Sequence, residues 1–355
     1  MTATLRVLAA TAALAFCGAM PALAQPKADF VLRSTVANVK RGVISADTPP
    51  VLKIKSGQTV RIDTISHGGV TEDPVAFFGA AGIPPEGVLE DVKAIAKATK
   101  ENGWSGHILT GPIYVEGAEP GDLLEVRILD VEPRVPYGVN SPGPGGAAPG
   151  ILKERGSRII KFDMKRKVVL NAPGVETPLG PFMGIMAVAP GEPRKVGSRA
   201  PGTFGGNMDF AKLKAGATLY LPVFQPGALF VTGDSHAQQG DGEVSGNAVE
   251  ASMTPTLTFI VHKGAGKAVT TPYAEDAQNY YIMGMDKDLD VALTRAIEET
   301  VKFLVAKKGL TPLEAYSLCS TAVDFGVAEA VDENLVMYGK VSKSWFAAKT
   351  PYWTK

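Results

Sequence analysis

The stretch GDSHAQQGDGEVSGNAVE, residues 233–250, holds one of the chain's four histidines among four carboxylates and four glycines. It lies between two apolar runs, ATLYLPVF at residues 217–224 and TLTFIV at residues 256–261, which both have the composition of buried β-strands. Polar residues that directly follow core strands are well placed to form a site on a rigid support. We therefore expect this stretch to anchor a functional site.

The overall composition is that of an ordinary globular protein. The 355 residues are 45% apolar and 20% charged, and the chain is long enough to bury a sizeable core. Lysine plus arginine equals aspartate plus glutamate, at 36 each, and no long run of like charges occurs. This balance predicts neither a nucleic-acid partner nor attachment to an anionic membrane surface.

Residues 1–24 have the features of a secretory signal peptide. Arg6 precedes an apolar run at residues 7–16, and Ala22-Leu23-Ala24 provides a small-x-small cleavage site. We therefore predict a periplasmic or secreted mature protein that is not attached to the membrane once the signal is removed. The mature chain would keep one cysteine, Cys319, and so could form no internal disulfide.

Residues 25–269 are predicted to form a mainly β body. Residues 51–55 and 59–65 alternate between apolar and polar side chains around the turn Ser56-Gly57-Gln58, a pattern typical of a β-hairpin. A helical insertion is expected at about residues 84–103, where apolar side chains recur at helical spacing.

Residues 138–150 contain five glycines and three prolines, which predicts a loop. Two interpretations of this loop remain open at the level of sequence. It could be a flexible connector, or it could be a lid over a pocket, because long loops inside compact domains are often functional.

Residues 270–355 change in character and predict an α+β C-terminal part joined to the body. An amphipathic helix is expected from Leu289 to Lys308, ended by Gly309. The sequence Thr311-Pro312-Leu313-Glu314 is a capping box with proline at the first helical position, and it predicts the start of a second helix.

Two histidines, His67 and His236, each follow a strand-like run at a turn that contains glycine. Residues two apart on a strand point to the same side, so Asp234 and His236 can converge on one ion. A second histidine would complete a zinc-type site with an open water position. Glu243 or Glu250 could then accept the proton of a metal-activated water.

The other histidines and a neighbouring serine have weaker claims. His107 precedes a strand-like run, and both a structural hydrogen-bonded role and a role in the site remain open. His262 ends a strand and is expected to be exposed or to cap that strand. Ser235 adjoins His236, but adjacent strand residues face opposite sides, so no direct Ser–His pair is expected.

Several stretches resemble the acetamidase/formamidase family in consistent order over about residues 51–348. The residues that carry the resemblance are 233–244, 109–122, 205–209, 221–223 and 227–230. The resemblance implies hydrolysis of formamide- or acetamide-like short amides to a carboxylate and ammonia. It also implies a β-sandwich and β-barrel-like body with a small α+β subdomain, often assembled as homo-oligomers.

The resemblance also implies a zinc-dependent site. Asp234 and His236 carry over as ligands from the matching signature, with His67 as the expected third ligand and His107 as a further candidate. Glu243 is the matching acidic residue, expected to act as the base, with Glu250 as a second catalytic candidate. The residues expected to line the substrate pocket are Gly206, Asn207 and Asp209.

This chain departs from the family pattern at Ser245, where relatives often have cysteine, and in its export signal. These departures keep open an alternative, an exported small-molecule-binding protein or a catalytically degenerate family member that retains the metal pocket. A second metal such as calcium is a further expectation. A third interpretation treats residues 233–250 as a calcium-stabilised structural loop, because Asp234, Asp241 and Glu243 offer hard oxygen donors.

Overall fold

The computed structural model describes residues 25–346, so the predicted signal peptide and the last nine residues of the C-terminal part lie outside the described residues. The strands are β1 (Phe30–Leu32), β2 (Val39–Arg41), β3 (Val43–Ser45), β4 (Leu52–Lys55), β5 (Thr59–Ile62), β6 (Ile108–Glu116), β7 (Leu123–Pro133), β8 (Tyr137–Asn140), β9 (Arg158–Asp163), β10 (Val168–Ala172), β11 (Val175–Pro178), β12 (Phe182–Ala187), β13 (Lys195–Gly197), β14 (Gly205–Asn207), β15 (Thr218–Pro222), β16 (Phe230–Gln238), β17 (Val249–Glu250), β18 (Met253–His262), β19 (Tyr273–Glu275), β20 (Asn279–Asp286), β21 (Asp324–Glu329) and β22 (Leu335–Ser342). The α-helices are α1 (Pro74–Gly79), α2 (Glu90–Asn102), α3 (Leu289–Lys308) and α4 (Pro312–Thr321), with single 3₁₀ turns at Pro85–Gly87, Ala265–Ala268 and Lys343–Trp345.

Most strands belong to two large sheets. The first has the order β1-β5-β18-β7-β15-β19-β20-β22-β21. The second runs β11-β10-β9-β8-β17-β16-β12-β14, with β6 beside β16 and in turn pairing with β2 and β4. Strands β3 and β13 form a separate pair. The mainly β fold class predicted from the sequence is confirmed.

The two sheets share one hydrophobic core. The rings of Phe230 in β16 and Phe259 in β18 meet edge to face between the sheets, with centroids 4.9 Å apart. Both rings are fully buried, and such aromatic pairs contribute about 0.5–1.5 kcal/mol beyond their buried area. This contact fixes β16, which carries the stretch quoted first, against the opposite sheet.

The hairpin predicted for residues 51–65 is wrong. Strand β4 pairs in parallel with β6 in the second sheet, whereas β5 pairs with β1 and β18 in the first. Gly57, at φ +91°, turns the chain between them. Alternation predicted the strands correctly but not their partners, because any pleated segment can pair with whichever edge the rest of the fold offers.

The predicted helical insertion is present, although its helix is shorter than expected. Helix α2 begins at Glu90 and ends before Gly103, whose left-handed conformation (φ 63°) caps it. Val92 and Ile95 on its apolar side belong to a small second hydrophobic core that also contains Tyr137. Helix α1 precedes it and was not predicted from the sequence.

Helix α3 begins and ends where the sequence places it, and helix α4 begins at the predicted Pro312. Asp288 caps α3 through the amides of Asp290 and Val291, and Gly309 ends it in the left-handed conformation. Thr311 and Glu314 form the predicted reciprocal capping box of α4. Strand β19 pairs with β15, so this part continues a sheet of the body. No helix among residues 25–346 has the length and apolar character to cross a membrane.

Gly284 allows α3 to pack closely on β20, and this contact generates a stability prediction. A Cβ at Gly284 would lie 2.2 Å from the backbone nitrogen of Ala296 and 2.4 Å from the carbonyl oxygen of Ala292. We expect Gly284→Ala to lower the free energy of unfolding by about 1–3 kcal/mol, the usual cost of overpacking, as measured by urea denaturation.

The matched control is Gly197→Ala in β13, where a Cβ would meet nothing within 4 Å. It should change the free energy of unfolding by less than about 0.5 kcal/mol. Equal effects of the two substitutions would contradict the close approach of helix and strand.

Candidate functional site

Strand β16 carries two of the predicted site residues, Asp234 and His236. The Oδ2 atom of Asp234 lies 3.7 Å from Nε2 of His236, so the two side chains converge as the sequence predicted. The backbone is not regular there, because Asp234 has φ 50°, in the left-handed region. Ser235 faces away and donates its hydroxyl proton to the carbonyl oxygen of Ala251 at 2.6 Å.

Two further histidines reach Asp234 from outside the strand. His67, in the loop after β5, places Nδ1 3.1 Å from Oδ1 of Asp234. His107, directly before β6, places Nε2 3.7 Å from the Oδ2 atom of Asp234. The remaining histidine, His262, pairs with Glu125 and takes no part in this group. The buried carboxylate of Asp234 thus contacts three imidazoles.

The hydrogen bond at Nδ1 of an imidazole ring determines which of its nitrogens lacks a proton. Gln239 donates its amide N–H to the carbonyl oxygen of Asp209 at 2.6 Å, so its own Oε1, 2.9 Å from Nδ1 of His236, must accept the Nδ1 proton. At His107, both the carbonyl oxygen and the hydroxyl of Ser198 lie near Nδ1, at 3.2 and 3.0 Å. The His236 ring therefore presents an unprotonated Nε2 toward Asp234 when it is neutral.

Glu250 lies opposite His236 in the sheet pairing of β16 and β17. Its Oε2 atom is 3.2 Å from Nε2 of His236 and 3.9 Å from Nδ1 of His67. Its other oxygen accepts the backbone N–H of Ala248 at 3.1 Å. Glu250 therefore contacts two of the three imidazoles that Asp234 contacts, and it can serve as a metal ligand as well as a base.

Glu243 and Asp209 also lie close to His236. Oxygen atoms of Asp209, Glu243 and Asp332 come within 4.8 Å of one another, and Glu243 makes a second such group with His236 and Glu250. Asp209, Asp234 and Glu243 have φ values of 41°, 50° and 43°. Backbone conformations of this kind cost about 1–3 kcal/mol each and concentrate at functional sites.

These side chains open into a cavity of about 280 Å³. Asn207 lines it and donates its amide N–H to Oδ2 of Asp209 at 2.8 Å, while the Asn207 Oδ1 atom has no hydrogen-bond partner among the described residues. Gly206 does not line the cavity. At φ 97°, with Phe204 and the Ala200 carbonyl 3.0 Å from the position of a Cβ, it instead shapes the backbone of β14.

Protonation within the group follows from its burial and its charges. Burial lowers the pKa of His236, but the carboxylates of Glu250 and Asp234 outweigh it and raise that pKa well above its usual value. Burial raises the pKa of Asp234, and His107 and His236 reverse this and hold the pKa well below its usual value. Burial raises the pKa of Glu243, and the charges of Glu250 and Asp234 add to the rise although His236 opposes it.

The unpartnered atoms of this group fit a metal ion. Among buried side chains of residues 25–346, those that lack a hydrogen-bond partner include His67 Nδ1, Asp234 Oδ1, His236 Nε2 and Glu250 Oε2. In a tetrahedral site with ligands about 2.0–2.1 Å from zinc, neighbouring ligand atoms lie roughly 3.3–3.4 Å apart. The observed separations of 3.1, 3.2 and 3.7 Å lie close to that value. The residues present therefore form clusters that could hold a metal.

Reasoning from the sequence missed several residues of the site. Gln239 lies inside the stretch quoted first, and its only signal is the three-residue spacing from His236. Ser198 and Asp332 are far from that stretch and belong to segments without a recognisable motif. Folding brings Asp332 into the cavity lining and Ser198 to the ring of His107.

Family comparison agrees with the fold and with the order of these motifs. The model of the Acetamidase/Formamidase family matches residues 43–195 and 193–339. This chain belongs to the acetamidase/formamidase family. The matched ranges include every histidine and carboxylate described above.

Individual members of the family are moderately similar to this chain. The acetamidase of Mycolicibacterium smegmatis is 31% identical over 202 residues, 39% of this chain and 49% of that protein. A Schizosaccharomyces pombe protein with a provisional formamidase name is 27% identical over 278 residues, 61% of this chain and 62% of that protein. The chain thus spans about half to three fifths of these curated relatives.

Solved structures of the family are similar over nearly their whole length. The crystal structure of an acetamidase from Bacillus halodurans has a TM-score of 0.74 and 27% identity, covering 89% of this chain and 98% of that one. The acetamidase/formamidase fold is therefore present throughout the part of the chain that carries the site.

The role of Gln239 can be tested through metal affinity. Gln239→Ala removes the acceptor that holds the His236 ring and its tautomer, so we expect the affinity for added zinc to fall about 10–100-fold. Competition with a chromophoric chelator measures this affinity.

The matched control is Gln238→Ala, because the adjacent Gln238 accepts from Thr177 at 2.7 Å instead of contacting the histidine. Zinc affinity should be unchanged in this variant. An unchanged affinity in Gln239→Ala, with normal circular dichroism, would contradict the positioning role.

Proposed function

We propose that this protein is a metal-dependent amidase that hydrolyses the carbon–nitrogen bond of small linear amides, releasing a carboxylate and ammonia. The observation that carries the proposal is the convergence of unpartnered atoms of His67, Asp234 and His236 at a cavity lined by His67, Asp234 and Glu243. Membership of the acetamidase/formamidase family supports amide hydrolysis as the reaction.

The proposed ligands are His67, His107, Asp234 and His236, with Glu250 in reach of two of these histidines. A zinc ion bound there would act as a Lewis acid, polarising the amide oxygen and lowering the pKa of water toward ~7. Nitrogen and carboxylate donors favour zinc over calcium at this group. The all-oxygen group of Asp209, Glu243 and Asp332 is the place where a second, harder ion such as calcium would fit.

Glu243 is proposed as the general base. The residue is only 8% exposed, and its carboxylate lies next to the histidine group. Its raised pKa, caused by burial and the nearby carboxylates, moves it toward the range in which a carboxylate can both accept and return a proton near neutral pH. Glu243 would accept a proton from the attacking water and return it to the nitrogen of the departing amine.

Asn207 is proposed to orient the amide. Asn207 lines the cavity, and its buried Oδ1 atom has no partner among the described residues. A substrate that reaches this atom could donate its amide N–H to it. A contact of this kind requires an N–H on the amide nitrogen, so a tertiary amide would leave the buried acceptor unpaired.

Nothing in the cavity specifically favours the alternative of a binding protein without turnover. Ser245, the departure that motivates this alternative, lies beside the cavity and not in its lining, and its hydroxyl donates to the carbonyl oxygen of Asn247 at 3.2 Å. The serine at position 245 therefore replaces none of the proposed metal ligands or catalytic residues.

The setting of the protein is also part of the proposal. The sequence of residues 1–24 supports export to the periplasm or beyond, with release from the membrane after cleavage. Assembly as a homo-oligomer is proposed from the family resemblance. A small amide is the expected partner, and the balanced charge supports the absence of a nucleic-acid partner.

Glu243→Gln and metal removal test the mechanism. Ammonia release from formamide and acetamide should stop when a chelator strips the protein and should return when zinc is added. Glu243→Gln should keep its metal, as measured by elemental analysis, and lower kcat about 10²–10⁴-fold, because the amide cannot accept the proton.

Asp241→Asn is the matched control, since Asp241 lies in the same loop but pairs with Lys212 at 2.9 Å and does not line the cavity. Its kcat should stay close to that of the wild type. Full ammonia release by the stripped protein or by Glu243→Gln would rule out this mechanism. Calcium without zinc in the active protein would rule out zinc as the catalytic metal.

A further inference from the structure

Three arginines line the same cavity as the histidines and carboxylates. Arg41 ends β2, Arg155 follows the glycine–proline loop, and Arg199 lies between β13 and β14. Arg155 and Arg199 are exposed and Arg41 is half-buried, whereas Asp234 and Glu250 are at most 3% exposed. The cations therefore form the rim of the cavity, and the carboxylates and histidines form its floor.

None of the three rim arginines forms an ion pair with a carboxylate of residues 25–346. Arg41 donates to the carbonyl oxygen of Gly106 and to the hydroxyl of Thr99, both at 2.8 Å. Arg155 donates to the carbonyl oxygen of Ser141 at 2.7 Å. Elsewhere, Arg134 pairs with Asp91 at 2.7 Å, which is the usual arrangement for a partly buried guanidinium.

Burial lowers the pKa of Arg41, which is the direction expected for a cation that loses water without gaining a counter-charge. The guanidinium nevertheless stays charged at neutral pH. Part of the hydration of Arg41 is lost without a counter-charge, and an anionic ligand would relieve that cost, whereas the exposed Arg155 and Arg199 remain hydrated and free to pair with such a ligand.

Each rim arginine is attached to an ordered part of the site. Arg41 binds the carbonyl of Gly106, next to His107, and Arg199 follows Ser198, which contacts Nδ1 of His107. Arg155 packs over Gly143, where a Cβ would lie 3.3 Å from its Cβ, Nε and Cζ atoms.

The glycine–proline loop that leads to Arg155 is itself anchored to the cavity wall. The amide of Ala147 donates to the carbonyl of Val244 at 2.9 Å, and that of Ser141 donates to the side chain of Asn247 at 3.0 Å. Gly138–Gly150 does not line the cavity, but it holds Arg155 there.

From this arrangement we infer that the substrate is a short amide that carries a second, anionic group, most simply the monoamide of a dicarboxylic acid. The arginine rim would bind the free carboxylate through charge-assisted hydrogen bonds while the amide reaches the floor. A cavity of about 280 Å³ lies at the lower end of small-molecule sites, so the chain between the two groups must be short. This inference rests on the proposed amidase function and names its substrate class.

The reaction stays balanced without a co-reactant. Water adds its oxygen to the amide carbon, the carbon–nitrogen bond breaks, and the nitrogen takes up the protons and leaves as ammonia. The products are a dicarboxylate and ammonium. Neutral formamide or acetamide would use the floor of the cavity and leave the rim unoccupied.

The test compares succinamate with butyramide, which has a methyl group in place of the carboxylate. On the zinc-loaded protein we expect kcat/KM for succinamate to exceed that for butyramide at least tenfold. Arg155→Gln and Arg199→Gln together should lower this ratio at least tenfold, and Arg41→Gln should lower it in the same direction. Raising the ionic strength should also reduce the ratio, because salt screens the exposed charges.

Arg158→Gln is the matched control. Arg158 is also exposed and donates to a backbone carbonyl, that of Asn171, but it does not line the cavity. In this variant, the ratio of kcat/KM for succinamate to kcat/KM for butyramide should equal that of the wild type. Circular dichroism and zinc content of each variant separate a lost contact from a lost fold.

A second readout keeps this inference separate from the amidase proposal. Isothermal titration of the zinc-loaded protein should show succinamate binding at least tenfold tighter than butyramide, and the double arginine variant should remove that preference. If no amide is hydrolysed but this preference is seen, the amidase proposal fails and the anion site stands. If amides are hydrolysed with no preference for succinamate, or with one that the arginine variants keep, the inference is overturned.

Discussion

The contact of one buried carboxylate with three imidazoles is the constraint on which the site depends. Asp234 is 3% exposed, and His67, His107 and His236 all approach its oxygen atoms. A carboxylate withdrawn from water to this extent is tolerated only with positive charge or hydrogen-bond donors around it. Protons on the imidazoles, or a metal ion in their place, supply that charge, so metal binding would be linked to proton release.

The fold brings these side chains together from separate parts of the chain. His67 follows a strand of the first sheet, while His107 directly precedes β6 and His236 lies in β16, both strands of the second sheet. The hydrophobic core that the two sheets share, which includes the Phe230–Phe259 contact, fixes the ends of these strands relative to one another. This rigid support allows residues such as Asp209 and Glu243 to keep left-handed backbone conformations that would relax in an isolated loop.

Charge is separated by depth within the cavity. Carboxylates and histidines occupy the floor, where low solvent exposure strengthens their mutual interactions. Guanidinium groups occupy the rim, where they can meet a ligand that is still partly hydrated. A cavity with this polarity would bind one end of a molecule electrostatically and place the other beside the reacting groups, so that affinity for the anionic end positions the amide for attack.

The sequence by itself determined the local features: the mainly β class, helix α3 with its end at Gly309, the capping box at Thr311, and the convergence of Asp234 with His236. Each depends on interactions within a few residues, such as side-chain periodicity and capping hydrogen bonds. Only the tertiary structure decided the sheet partners of β4 and β5, the approach of His67 and His107, the support from Gln239, and the arginine rim. These features depend on which distant strands pair and how the sheets pack, and no local pattern encodes that choice, because a pleated strand can hydrogen-bond to any matching edge.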